Sequence, residues 1–197
     1  MTILLAVALG LGLATAAGLR VFLPLFGAGL AAHLGYIELT PGFAWLGSTM
    51  AVFAFGTATV AEVLAYYVPW LDHLLDTVAT PAAVVAGMLA SAATLVDLPP
   101  ALQWGIAIIG GGGAAGLMQA LTVGLRLKST LTTGGLGNPV VSTGETIGSA
   151  GLVAVAVFLP LLCLLLLVLM GVLIYKGAGR LRRRPRAAPE DVTPPTV

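Results

Sequence analysis

The chain has 197 residues, of which 58% are hydrophobic and only 9% charged, with a mean hydropathy of +1.04. Soluble domains carry roughly 25% charged residues, and disordered chains combine low hydrophobicity with high charge. Both classes are excluded, and the expectation is an all-α polytopic membrane protein built from spans of about 20 residues.

Charge is unevenly spread. Residues 1–175 hold Arg20, Glu38, Glu62, Asp72, Asp76, Asp97, Arg126, Lys128 and Glu145, a formal −3. From Lys176 onward, Arg180, Arg182, Arg183, Arg184 and Arg186 outweigh Glu190 and Asp191, so the tail is +4. A basic cluster after the last apolar run is an orientation signal that predicts a cytoplasmic C-terminus in the cell inner membrane. No aromatics are interleaved with these arginines, so nucleic acid is not an expected partner. Cys163 stands alone in a Leu-rich run, which excludes a disulfide framework or thiolate metal site.

In chain order, the charge-free run 1–19 is read as the first transmembrane helix, because no cationic segment precedes it as in a signal peptide. Residues 21–37 have the bare minimum length for a span and include Pro24, which predicts a short span or a re-entrant helix. Thr40-Pro41-Gly42 is a turn, and Trp45 an interface anchor. A second helix is expected over 46–71, closing in an aromatic belt at Tyr66, Tyr67 and Trp70. A third is expected over 77–96, a fourth from Trp104 to Leu125, and the last within 148–175. Residues 129–147 are rich in Gly, Thr and Ser around Asn138-Pro139, and read either as irregular backbone lining a wet cavity or as an exposed loop. Four or five full spans follow, with broken or re-entrant segments at 21–37 and 129–147, forming a domain over 1–175. Residues 176–197 are expected to form a basic, then Pro/Ala-rich, disordered tail.

Gly18-Leu19-Arg20 and Gly124-Leu125-Arg126 each close an expected helix, which leaves an internal inverted repeat open. The four-residue spacings of Gly10, Ala14 and Gly18, and of Gly112 and Gly116, are small-residue packing faces. The Gly110–Gly113 run lacks the strand and Lys-Ser/Thr of a phosphate loop.

Glu62 is the leading candidate. In an unbroken helix it lies ten residues, ~15 Å, from Asp72, which is near the middle of a ~30 Å hydrocarbon core. A carboxylate there needs a partner, a proton or water. Arg20, Arg126 and Lys128 are the basic groups on offer, and Asn138 and Glu145 complete the expected intramembrane polar site. The competing reading is an ion pair that only locks helices together. Asp72 and Asp76 share a helix face as an interfacial acidic cluster, but two carboxylates fall far short of a cation shell. No metal or cofactor is expected. Only His33 and His73 are present, without a metalloprotease helix motif or a nucleophile elbow, so no enzyme is expected either.

The string Gly18-Leu19-Arg20-Val21-Phe22-Leu23-Pro24, then Trp45-Leu46-Gly47-Ser48, Glu62, Pro69 and Asp72, carries a likeness. So does Gly134-Gly135-Leu136-Gly137-Asn138-Pro139 leading to Glu145. Over roughly residues 3–175 the chain resembles a bacterial family of small integral membrane proteins, domain of unknown function 4126. The resemblance implies an integral membrane fold and no particular activity.

Two functions are compatible with these residues. One is a small transporter or channel-like permease, moving an ion or small molecule past Glu62. The other is a non-transporting scaffold or accessory subunit, with its basic tail on a partner or anionic lipid. Either has the lipid bilayer as a partner, and a second copy of the chain is admissible. A hydrated cavity touching Glu62 separates the two readings, because a scaffold buries that group dry and paired.

Overall fold

The structure, a computed structural model, describes residues 2–182, and at 69–74, 76 and 177–182 the backbone alone. It is helical, with no strand among the described residues. The chain divides into two compact units, Met1–Leu165 and Leu166–Val197.

α1 (Ile3–Ala17) is apolar on every side and buried along most of its length, as expected of a helix enclosed by others. It ends at Gly18. After a four-residue break α2 (Phe22–His33) begins, with Pro24 in its first turn, where no intrahelical N–H is needed. Gly12 packs on Ala156, while Gly27 packs on Val153. Two helices that meet one neighbour at the same level on either side of a break run antiparallel, so α1 and α2 form a hairpin. α2 stops where Gly35 takes φ +77°. There Tyr36 N–H donates to Ala31 O at 2.8 Å and Gly35 N–H to Ala32 O at 3.0 Å, a Schellman closure.

A 3₁₀ segment, Pro41–Gly47, leads into α3 (Thr49–Ala65) through a bend of 67°. Ser48 caps α3 by accepting from Ala51 N–H at 3.2 Å. α3 leaves helical geometry at Tyr66–Val68, and α4 (Pro69–Thr94) starts on a proline. The expected single helix over 46–71 is therefore broken at both ends. The carbonyls that end α4 are met from elsewhere: Thr40 N–H donates to Ala93 O and Gln103 Nε2 to Ala92 O, each at 2.8 Å.

α5 (Pro100–Ile106), a π-helical turn (Ala107–Gly112) and α6 (Gly113–Thr133) form one continuous helix of 34 residues. Gly124-Leu125-Arg126 thus lies inside a helix, whereas Gly18-Leu19-Arg20 ends one. The two halves are not equivalent at these tripeptides, so the tripeptides give the possible repeat no support. α6 ends at Gly134 and Gly135, with φ +63° and +92°, where a side chain would be strained. α7 (Asn138–Phe158) begins with Pro139 in its first turn.

Most of 129–147 is accordingly helix with a short turn, a correction to the irregular segment expected there. The expected helix over 148–175 is also split. Leu159 takes φ −137° and ψ +59° before Pro160 opens α8 (Pro160–Arg182), since a proline disfavours the helical region for the residue before it. α8 continues through Lys176 to the end of the described residues. Residues 183–197, with Arg183, Arg184 and Arg186, lie outside them.

Among the described residues, three helical stretches are long and apolar enough to cross a membrane: Thr77–Thr94, Pro100–Thr133 and Asn138–Phe158. The bent pair Pro41–Gly47 and Thr49–Ala65 makes a fourth if it is one span. Four or five were expected. The difference lies in shorter apolar helices: α1 and α2, at 15 and 12 residues, are ~22 and ~18 Å long, and the apolar part of α8, Pro160–Lys176, is also short of a ~30 Å core.

Small residues let these helices approach closely. Gly10 abuts Ser91 and Thr94, Gly18 the backbone at Ala115, Gly87 the carbonyl of Gly111, and Gly112 the side chain of Met88. Gly10, Gly18 and Gly112 lie on the packing faces read from the spacing, whereas Gly87 was not among them. The polarity of the first unit is inverted: Met50, Phe53, Leu117, Leu131 and Ile147 are exposed, while Arg20, Glu62, Arg126, Ser142, Glu145 and Ser149 are buried. That is the arrangement of a protein whose solvent is lipid.

Candidate functional site

The α1–α2 break, the end of α3 and the facing turns of α6 and α7 meet at one level of the bundle. Gly56 of α3 packs on Phe26, and Val52 lies near Gly29, so α3 runs antiparallel to α2 and its last turn comes level with the first turn of α2. That register delivers the Glu62 carboxylate to the start of α2. Val21 N–H donates to Glu62 Oε1 at 2.8 Å and Phe22 N–H to Oε2 at 3.1 Å. The first amides of a helix have no intrahelical acceptor and sit at its positive end. Glu62 occupies them as an anionic ligand would.

Glu145 is held differently. Arg126 Nε donates to Glu145 Oε1 at 3.0 Å and Arg126 Nη2 to Oε2, the two-pronged geometry that suits guanidinium and carboxylate. Arg20 Nη2 stands 3.7 Å from the same Oε2. Arg20 is 1% exposed, and α7 takes one edge of its guanidinium. Nε donates to Thr146 Oγ1 at 3.0 Å, and Nη2 to Ser142 O at 2.7 Å and to Ser142 Oγ. Among the described residues, Arg20 Nη1 is buried without a hydrogen-bond partner. Nε and Nη2 share one edge of the planar group, so Nη1 lies on the corner turned away from those α7 acceptors.

Tyr66, the residue that ends α3, completes the cluster. The Arg20 and Arg126 guanidinium carbons lie 4.3 and 4.0 Å from its ring centroid, within range of cation–π attraction. The ring is buried, so Tyr66 belongs to the interior rather than to the expected interfacial belt. Its signal was its position four residues after Glu62, on the same helix face. Beneath the cluster, Ser149 Oγ donates to Ala16 O at 3.0 Å, tying α7 to α1.

Of the expected site residues, Arg20, Arg126 and Glu145 come together, with Glu62 beside them at the residue following Arg20. Glu62 turns to backbone amides for its hydrogen bonds. The ~15 Å depth expected for it needs an unbroken helix to Asp72, and the break at Tyr66–Val68 removes that geometry. Asn138 is about two turns from Glu145, at the α6–α7 turn, where its Nδ2 donates to Thr130 Oγ1 at 3.2 Å. Asp72 and Asp76 are on α4, with side chains outside the described residues. No group of three or more His, Cys, Asp or Glu side chains able to hold a metal ion is found among the described residues.

A groove of about 370 Å³ opens onto the site between α2, α3 and α4. Its lining is almost wholly apolar, with Leu75, Val78 and Ala79 on the α4 wall, and Glu62 and Tyr66 among the lining residues beside Val21 and Phe22.

No curated protein and no solved structure matches the chain. One family model does, over residues 7–178. Matched over that much of its length, the chain belongs to the family described as a domain of unknown function (DUF4126).

Proposed function

We propose that this protein is a small transporter or channel-like permease rather than an enzyme. We place it in the cell inner membrane, with a cytoplasmic C-terminus after the Arg180–Arg186 cluster. The observation that carries the reading is the groove reaching Glu62 at the edge of a buried charge cluster. A scaffold gains nothing from a cavity beside a carboxylate, and buried charge in a membrane domain is expensive unless function retains it. The scaffold reading has one observation in its favour: the Arg126–Glu145 pair clamps α6 to α7, which packing alone explains.

The test is flux through the full chain reconstituted in liposomes, with potassium, sodium, chloride and formate as probes. The expected result is flux of at least one probe above that of protein-free liposomes, altered by Glu62→Gln. Flux at background for every probe, or flux that Glu62→Gln leaves untouched, would remove the transport role.

A further inference from the structure

We propose that the start of α2, together with Arg20 Nη1, is a binding site for a small monovalent anion, in which the Glu62 carboxylate is the resident occupant. Anion binding stands on the geometry alone. That the anion also crosses the membrane rests on the transport reading above.

What the site offers a ligand depends on which of its groups are already engaged. Both of its described carboxylates are engaged: Glu145 by the two prongs of Arg126, and Glu62 by the amides of Val21 and Phe22. A cation entering here would have to strip one of them from donors that suit it. An anion meets the opposite situation. Arg20 is almost wholly buried, it cannot shed its proton, and its Nη1 has no acceptor among the described residues. A buried charged donor left unpaired is costly. The residue after Arg20 supplies the first of two amides at the positive end of a twelve-residue helix.

One donor here, Arg20 Nη1, is thus without an acceptor among the described residues, and the side-chain oxygens now on the two amides belong to a residue on another helix. Glu62 sits in the last turn of α3, next to the break at Tyr66–Val68, and it lines the groove. A side chain so placed can leave the amides for the groove without unwinding a helix. An incoming anion would then take its place on the same two N–H groups, with Arg20 Nη1 as the further donor the proposal assigns to it. Glu62 would therefore act as a competitor that keeps the site filled when no anion is present.

The first measurement uses chemical replacement. Glu62→Ala empties the two amides, and sodium formate supplies the missing carboxylate. Thermal unfolding of the full chain in detergent is followed as formate rises. A sodium salt of a bulky sulfonate at matched concentration controls for ionic strength. The expected result is a saturable, formate-specific rise in Tm for Glu62→Ala, absent from the wild type, where Glu62 fills the site. No formate-specific rise in the variant, or the same rise in both proteins, would overturn the proposal. If Glu62→Ala does not fold, Glu62→Gln replaces it, because the amide side chain keeps one acceptor but carries no charge.

The second measurement needs no variant. Wild-type proteoliposomes are placed in a potassium chloride gradient, and the reversal potential is read. A value near the chloride equilibrium potential supports the anion assignment, and Glu62→Gln should then carry more chloride than the wild type. A value near the potassium equilibrium potential would overturn the anion assignment while leaving the transport reading in place. No conductance of either ion would sink the transport reading, and the formate titration would then decide the anion site by itself.

Discussion

Glu62 and Glu145 are the same group buried at the same level of the bundle, yet the fold satisfies them by different means. Glu145 faces two arginine side chains and takes both prongs of Arg126. Glu62 takes two backbone amides that exist only because the chain breaks between α1 and α2. A guanidinium partner is a second full charge, which stays buried if the carboxylate is removed. A pair of helix-end amides is a fraction of a charge, and can be met by water or another anion. The first arrangement locks two helices together, whereas the second leaves an exchangeable contact. The contrast makes Glu145 the lock between two helices and leaves Glu62 as the contact on which the proposed function rests.

The largest expected effect comes from breaking the locked member. Glu145→Ala strands the Arg126 and Arg20 charges in the interior, and removing one partner of a buried pair costs about 3–5 kcal/mol. Glu62→Gln keeps an acceptor for one amide and forfeits only the interaction of a charge with a helix end, about 0.3–2 kcal/mol. Unfolding of the two variants side by side in one detergent measures the contrast. Equal destabilisation, or a larger loss at Glu62, would abolish the distinction between a lock and an exchangeable contact.

A smaller effect is expected at Tyr66, which belongs to both halves of the comparison. It ends the helix that carries Glu62, and its ring lies under both guanidiniums that face Glu145. Tyr66→Leu keeps an apolar side chain but removes the π face, and two desolvated cation–π contacts together contribute about 2–4 kcal/mol. Tyr66→Phe keeps the ring, so it should retain more stability than Tyr66→Leu. If the leucine variant matched the phenylalanine variant, the ring would be ordinary packing with no electrostatic share in the cluster.

Much of this site was legible in the sequence, for a physical reason. In an apolar chain every formal charge works against the bilayer, so Arg20, Glu62, Arg126 and Glu145 each stand out. Which carboxylate meets which arginine was not legible, because that depends on α1 and α2 forming a hairpin rather than on any local pattern. The stretch 129–147 was misread through its Gly, Thr and Asn-Pro content, which resembles turn chemistry. Yet Asn138, Ser142, Glu145 and Ser149 recur at spacings of four, three and four, and all four are buried on α7. That is a helical stripe with the polar side inward, the signature that a search for apolar stripes passes over. The break at Leu159 before Pro160 was open to reading from the proline rule, and the Leu-rich composition hid it. Tyr66 was assigned to the bilayer surface because aromatics collect there. Its alignment with Glu62 pointed inward instead.

The smallest expected effect isolates how firmly Arg20 is fixed between the two carboxylates. Ser142 offers Arg20 Nη2 both its hydroxyl and its backbone carbonyl, the latter at 2.7 Å, and Thr146 holds Nε at 3.0 Å. Ser142→Ala removes one acceptor of these three and leaves the carbonyl, so the guanidinium keeps its edge on α7. A hydrogen bond to a charged group contributes about 1.5–3 kcal/mol, and the shared carbonyl places this loss at the low end, near 1.5 kcal/mol. Thermal unfolding reads that change. The same variant sharpens the comparison through anion flux, because α7 takes no part in the α2 amides that hold Glu62. Flux should therefore change less in Ser142→Ala than in Glu62→Gln, even where the two lose similar stability. A Ser142→Ala protein whose flux changed as fully as that of one altered at Glu62 would make Arg20, rather than Glu62, the element that governs passage.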